Sequence, residues 1–331
     1  MTTASRPTWL RWGLIIAGLA VAGAFVWLIV RTVDPAAVGR AVAAADPSLL
    51  ALGLLPLAAG YACRIVRWYL LLLPANSRLG LRSCVAPLLG GFALNNVLPA
   101  RAGDVVRIVA FQERLGTGAA ATAGSVMIER ILDLMVLIAC LMVGLALVPN
   151  DRVPVGIRMI GGVGGWSILA GGTLVLVGAG WLRPWCERFA ERSTGLPQRL
   201  AGLVGRVLLG MDLIRDRRRL ALVAALSLLV WIGELGLYLC VERSLASGAG
   251  AAGAVLGMAA GNLATLIPGT PGHVGTFHYF VTAAFAAAGS SQETAVACAV
   301  LIHLLFWIST TLAGLIALAV TGWWRQRPET P

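Results

Sequence analysis

Two segments of the sequence join a break in the backbone to side chains able to hold an anion or move a proton. The first, NNVLPARAGDVVR (Asn95 to Arg107), sets Asn95 and Asn96 ahead of Pro99, with Arg101, Gly103, Asp104 and Arg107 behind it. The second, ATLIPGTPGHVGT (Ala264 to Thr276), carries Pro268, Pro271, Gly272, His273, Gly275 and Thr276, and His278 follows. Pro99, Gly103 and Val105 of the first align with Pro268, Gly272 and Val274 of the second. Proline removes a backbone donor and ends a helix, and glycine lets the chain turn into the next one. A helix starting after such a break, at Asp104 or at His273, points N–H groups and its positive dipole end at an anion. With Arg101 and Arg107 beside the first break, phosphate is the natural ligand. Asp104 competes with that reading, because it can cap the helix and pair with Arg107 or Arg101, which needs no ligand at all.

Other ionisable groups sit where apolar sequence surrounds them. Glu129 and Asp133 lie four residues apart on one helix face, with Arg130 between them. Asp133 is a turn inside an apolar run, so pairing with Arg64, Arg67, Arg101 or Arg107 is expected; scaffold and site are equally good explanations. Glu234 lies in mid-run between Trp231 and Leu235, where an ionised carboxylate is costly. His273, His278 and His303 are the three histidines. Their spacing does not favour zinc, and packed hydrogen-bonding roles compete with titration. Asp104, Glu234, His273 and His303 are the candidates for coupling movement to an ion or proton. No GK[ST] phosphate loop occurs, so no nucleotide is expected to drive it, and no cofactor or metal is expected.

The elements that position these groups must lie in a membrane. Hydrophobic residues make up 58% of the chain and charged residues 12%, about half the charge of soluble domains. Apolar runs of spanning length occur at Leu10 to Val30, Leu49 to Leu73, Ile131 to Val148, Ile157 to Leu182, Leu220 to Val241 and Ala295 to Val320. The first is too long for a signal core and is read as an anchor that stays. All 26 basic residues are arginine, giving a net charge of +11. Charge lying between spans reports topology rather than nucleic-acid binding. Arg6 and Arg11, then Arg64, Arg67, Arg78 and Arg82, and finally Arg325 and Arg327 put both termini in the cytoplasm. Residues 183–219 hold nine arginines against four acids and read as an amphipathic segment on the anionic inner leaflet. The six cysteines show no ligand spacing and are expected as free thiols.

The two broken segments, Cys84 to Leu115 and Ala251 to Ala288, have arms too short to cross a hydrocarbon core of about 30 Å. The expected fold is therefore all-α and polytopic, with six full spans and two re-entrant helical hairpins that enter from opposite sides and meet at their breaks. Residues 1–150 form one half-repeat and 151–331 an inverted second half within a single membrane domain. Ten full spans is the competing topology. Corresponding broken segments are the strongest sequence pointer to a binding site in a membrane protein.

The string GGFALNNVLPARAGDVVRI, then ERILDL, then IPGTPGHVGTFHYF resembles the lysylphosphatidylglycerol synthase transmembrane-domain family, a flippase-like group of bacterial and archaeal membrane proteins. The resemblance covers nearly the whole chain. It assigns weight to Asn96, Pro99, Arg101, Gly103, Asp104, Arg107, Glu129, Arg130, Asp133, Pro268, Pro271, Gly272 and Gly275. Many members carry Gly and Glu where His273 and His278 stand here, which puts the family's substrate choice in question for this chain. What the resemblance implies is a translocator of a lipid with an anionic headgroup in the bacterial inner membrane. The cytoplasmic aminoacyl-transferase domain of some members is not in this sequence, so lysyl transfer does not carry over. Two other readings stay open: a membrane enzyme acting on a lipid or polyprenyl phosphate, with Asp104, Glu129 or Asp133 as base, and a non-transporting accessory subunit or oligomer partner in a lipid or envelope-polysaccharide pathway.

Overall fold

Asp-Pro steps set the first helix boundaries. Asp34 caps α1 (Pro35–Ala43) and Asp46 caps α2 (Pro47–Leu72), each carboxylate accepting the N–H two residues on while proline occupies the first helical turn. Asp46 also accepts the Ser48 hydroxyl, and these bonds hold its carboxyl below the usual range. The computed structural model describes residues 20, 21, 23–98, 101–153, 155–192, 198, 216–267 and 271–322, and among them the chain is helical without strands.

After α2 come α3 (Leu81–Val97), α4 (Ala102–Val109), the single turn α5 (Gln112–Leu115) and α6 (Ala119–Leu147). Then follow α7 (Val155–Arg192), α8 (Arg217–Ser244), α9 (Gly250–Ala264), α10 (Thr276–Ala287) and α11 (Gln292–Val320). By length and composition α2, α6, α8 and α11 can cross a membrane. The expected spans at 49–73, 131–148, 220–241 and 295–320 fall on these four. The run at 157–182 lies inside α7, while most of the expected first span falls outside the described residues, of which 23–30 are helical. Residues 183–192 continue α7, and the rest of the basic segment up to Arg215, apart from residue 198, lies outside the described residues, as do Arg6, Arg11, Arg325 and Arg327.

Small residues bring the long helices together. A Cβ on Gly60 of α2 would stand 2.9 Å from the Val230 carbonyl oxygen of α8, and one on Gly233 of α8 2.5 Å from that of Pro56. This backbone-on-backbone approach is the packing expected where lipid, unlike water, supplies no hydrophobic drive between helices. Two cores flank the crossing. One joins Leu57, Tyr238, Met258, Phe285 and Ile302, and the other joins Trp68, Leu88, Phe111 and Leu318. Cys63, Cys84, Cys140, Cys240 and Cys298 are free thiols, as expected.

The two broken segments are helix pairs. The arms α3 and α4 measure roughly 25 and 12 Å, and α9 and α10 roughly 22 and 18 Å, all short of a ~30 Å core. In the second pair Gly253, Gly257 and Gly261, one turn apart on α9, face Phe285, Val281 and Phe277 of α10. Such a row of glycines lets two helices pack closely.

Candidate functional site

Arg101 begins the site because it begins α4. It is the helix N-cap in a left-handed conformation (φ 51°), which costs a non-glycine residue about 1–2 kcal/mol. Surrounding contacts hold it there. Gly103 lies so tightly against α3 that a Cβ would collide with the Gly91 carbonyl and the Asn95 side chain. Asn95 and Asp104 then bond reciprocally, Asn95 Nδ2 donating to the carboxylate and the Asp104 N–H donating to Asn95 Oδ1, both at 3.1 Å. The free N–H groups expected at this helix start are thus partly filled by an asparagine side chain. The helix starts at Ala102, and its counterpart after the second break at Thr276, rather than at Asp104 and His273.

Four carboxylates and their arginines form a buried lattice across α2, α4, α6 and α8. Arg107 makes a two-pronged pair with Glu129 (2.8 and 3.2 Å) and lies 3.7 Å over the Trp68 ring. Asp133 accepts from Arg67 at 2.7 Å and from Arg64 at 3.4 Å, and the Trp231 indole N–H adds a bond at 3.3 Å. Arg64 also reaches Glu234 at 3.2 Å, whose other oxygen accepts from Asn262 at 2.6 Å. Arg130 touches Asp104, Glu129 and Asp133 at 3.2, 3.5 and 3.9 Å. Arg64, Arg67, Arg107, Glu129, Asp133 and Glu234 are all buried. Breaking one partner of such a pair costs about 3–5 kcal/mol, since the other charge is left buried alone. Asp104 pairs with Arg130 and Arg107 with Glu129, so neither of the partners expected for Asp104 holds it. The reason is the close approach at Gly103, which carries α4 under α6 and aims Arg107 at its neighbouring helix.

Arg101 stands apart from this lattice. Among the described residues it has no carboxylate within 4 Å, and its Nη2 donates to Thr265 Oγ1 at 2.7 Å across to the second break. It lines a cavity of about 330 Å³ walled also by Arg64, Asn95, Asn96, Arg130, Asp133, Glu234, Asn262, Thr265 and His273, with Phe92, Trp231 and Phe306 as apolar faces. Two buried wall atoms, Arg130 Nε and His273 Nδ1, have no partner among the described residues.

The second break reaches the same cavity by a different construction. Gly272, His273 and Gly275 all have positive φ (71°, 56° and 93°) and wind a turn through the helical piece Pro271–His273 into α10. Rings from α11 fasten it. His303 Nε2 lies 2.8 Å from the Gly272 carbonyl, and its Nδ1 lies 3.3 Å from His278 Nε2. Trp307 donates to the Asn96 carbonyl at 3.3 Å, while the Asn96 side chain donates to Thr310 and Thr311. Helix α11 therefore grips both breaks.

Of the residues singled out in the sequence, Arg64, Asn95, Asn96, Arg101, Arg130, Asp133, Glu234 and His273 line the cavity. Arg67, Gly103, Asp104, Arg107 and Glu129 lie behind its charged wall, and Gly272, Gly275, Thr276, His278 and His303 behind the other. Pro99 and Pro268 fall outside the described residues, and of Pro271 only the backbone is described. Asn262, Thr265 and Trp231 were not anticipated as members of the site. The available signal for Asn262 was a lone amide in an otherwise apolar helix just before a break, the same position that Asn95 and Asn96 hold in the first.

The family described as the lysylphosphatidylglycerol synthase TM region matches residues 15–314. No curated protein matches the chain. The chain belongs to this family and is a multi-pass membrane protein tied to lipid metabolism.

Proposed function

We propose that this member of the lysylphosphatidylglycerol synthase TM family moves a phospholipid or lipid-linked headgroup between leaflets of the bacterial inner membrane. The observation that carries the reading is Arg101, a guanidinium on the wall of a cavity of about 330 Å³ whose partners among the described residues are the hydroxyl and carbonyl of Thr265. That volume is at the low end for small-ligand sites, about 300–1,000 Å³, which suits a headgroup and leaves no room for its tails. Val97, Leu98, Val105 and Leu266, beside the breaks, expose apolar side chains that suit the tails. A phosphate at Arg101 replaces the Thr265 contact with a charge-assisted bond.

In this reading the helix pairs are re-entrant and belong to an inverted repeat of half-units 1–150 and 151–331. The order long helix, broken pair, long helix occurs in each half and supports it. The enzyme reading is weaker, because each carboxylate offered as a base is already held by arginine.

The test is purified protein in liposomes carrying fluorescent phospholipids or polyprenyl phosphates, read by quenching of the outer leaflet. Bilayer exchange at a rate well above protein-free liposomes is expected, and Arg101→Ala lowers it about tenfold, the loss of one charge-assisted bond of about 1.4 kcal/mol. Exchange unchanged by Arg101→Ala removes the phosphate role, and a chemically altered lipid returns the enzyme reading.

A further inference from the structure

The histidines of the second break have one consistent arrangement of protons. A carbonyl only accepts, so the contact from His303 Nε2 to Gly272 O at 2.8 Å requires a proton on Nε2. In the neutral ring His303 Nδ1 is then an acceptor and takes its proton from His278 Nε2 at 3.3 Å. His278 Nδ1 is in turn an acceptor and receives the Gly275 N–H at 3.4 Å. One directional chain runs from the Gly275 N–H through both rings to the Gly272 carbonyl, closing the turn Gly272 to Gly275 at its two ends.

This chain has no place for another proton. If it enters at His303, two N–H groups face each other between the rings. If His278 changes tautomer to relieve that, its Nδ1–H faces the Gly275 N–H instead. Whichever ring takes it, one bond must open, and the longest of the three is the one to Gly275. That bond ties the start of α10 to a turn of three positive-φ residues, one of which, His273, walls the cavity.

We infer that His278 and His303 are a proton-binding site whose occupation releases the Gly275 end of the second break. One proton serves both rings, because the second would meet the first across 3.3 Å. The charged and titratable neighbours are few. His273 lies on the same turn, Tyr279 follows His278 on α10, and Arg101 faces the turn from the first break. Helix α9 carries no ionisable side chain, the end of α3 that meets the turn carries Asn95 and Asn96, and α11 itself carries Glu293 and Cys298 toward its start; the helices packed on α11 add Arg40 on α1, Arg64 and Arg67 on α2, and Glu234 and Glu242 on α8. Among the described residues no carboxylate lies within 4 Å of either ring, so a proton there is unshared positive charge, and it opposes the latch instead of tightening it. The inference rests on the translocation reading only for the use of the proton, which is to open the cavity wall once per cycle.

The test separates the latch from transport. Protein with labelled histidine in nanodiscs presents three ring systems to nitrogen NMR. At high pH both His278 and His303 are expected neutral with the proton on Nε2, and on acidification they respond together with one proton between them. A reporter Thr276→Cys, buried at the first residue of α10, is placed in a background without the native cysteines. Its labelling by a water-soluble maleimide, taken relative to that of a fully exposed cysteine at the same pH because the reactive thiolate fraction falls on acidification, is expected to rise about tenfold across that range, the factor for losing one ordinary hydrogen bond. His303→Gln with His278→Gln is expected to flatten that rise. Rings that titrate separately, the opposite tautomers, or labelling that ignores their titration overturns the latch, and the wild-type spectrum decides even if the glutamine variant does not fold. Absence of lipid exchange at every pH, with the latch intact, overturns the translocation reading alone.

Discussion

At the first break Arg101, Asp104 and Arg107 leave the chain within two turns of one another and end on Thr265, Arg130 and Glu129. At the second, within an equal length, the contacts are ring nitrogens, a carbonyl and a turn of glycines. One end of the cavity is held by full charges on four helices, and the turn at the other by neutral bonds to α11, with Arg101 reaching across to Thr265 just ahead of it. Buried charge pairs have deep, narrow minima, because separation exposes each ion to a low-dielectric medium. Neutral bonds near 3 Å contribute about 1 kcal/mol each and exchange readily. The contrast assigns stiffness to the first break and movement to the second. A moving part is drawn from the less stable end of a structure.

Glu129→Ala attacks that contrast where it is largest. It strands Arg107 at about 1% exposure under the Trp68 ring, and a loss of about 3–5 kcal/mol is expected in denaturant unfolding of the purified protein. Adding Arg107→Met removes the stranded charge and restores most of that loss. His303→Ala at the second break is the counterpart, and a loss nearly as large as that of Glu129→Ala abolishes the distinction between the two ends.

The outline of this arrangement was legible in the sequence for a physical reason. Arginine and carboxylates inside apolar runs are so costly that each must have a partner, so Asp133 pointed to Arg64, Arg67, Arg101 or Arg107 before any geometry was known. Asp133 does take Arg64 and Arg67, two of the four arginines expected for it, but the partners of Asp104 and Arg107 were not legible. Asp104 and Arg107 are one turn apart and look like a local pair, but the approach of Gly103 to Gly91 rotates them toward α6, a contact between backbones that no spacing rule encodes. The histidine chain was hidden more deeply, because His278 and His303 sit on different helices and meet through the turn at Gly272. The expected meeting of the two breaks, by contrast, is present in the Arg101 to Thr265 bond.

Glycines sharpen the comparison at intermediate size. In Gly103→Ala the new Cβ meets the Gly91 carbonyl and the Asn95 backbone, neither of which yields without moving a helix. In Gly261→Ala it meets side-chain rather than backbone atoms, of Val281 and Phe277 at 2.6 and 2.9 Å, which yield at less cost than a helix backbone. Overpacking costs about 1–3 kcal/mol, so Gly103→Ala is expected near the top of that range and Gly261→Ala near the bottom, measured by the same unfolding assay. Equal losses indicate that the second pair is as rigid as the first.

Thr265→Val has the smallest expected effect and bears most directly on how the two ends communicate. It removes the hydroxyl that Arg101 holds and leaves the helix otherwise the same shape, since valine and threonine are nearly isosteric. The lost bond joins a charged donor to a half-buried hydroxyl and is worth about 1 kcal/mol, partly recovered through the Thr265 carbonyl that Arg101 also approaches at 3.4 Å. If that bond closes the cavity against the headgroup, its removal leaves Arg101 freer to take phosphate. Affinity for a short-chain phospholipid, titrated by calorimetry, then rises several-fold while unfolding stability falls slightly. If the bond instead preorganises Arg101 for the ligand, affinity falls together with stability. The sign of the affinity change therefore decides whether the first break is closed by the second or positioned by it.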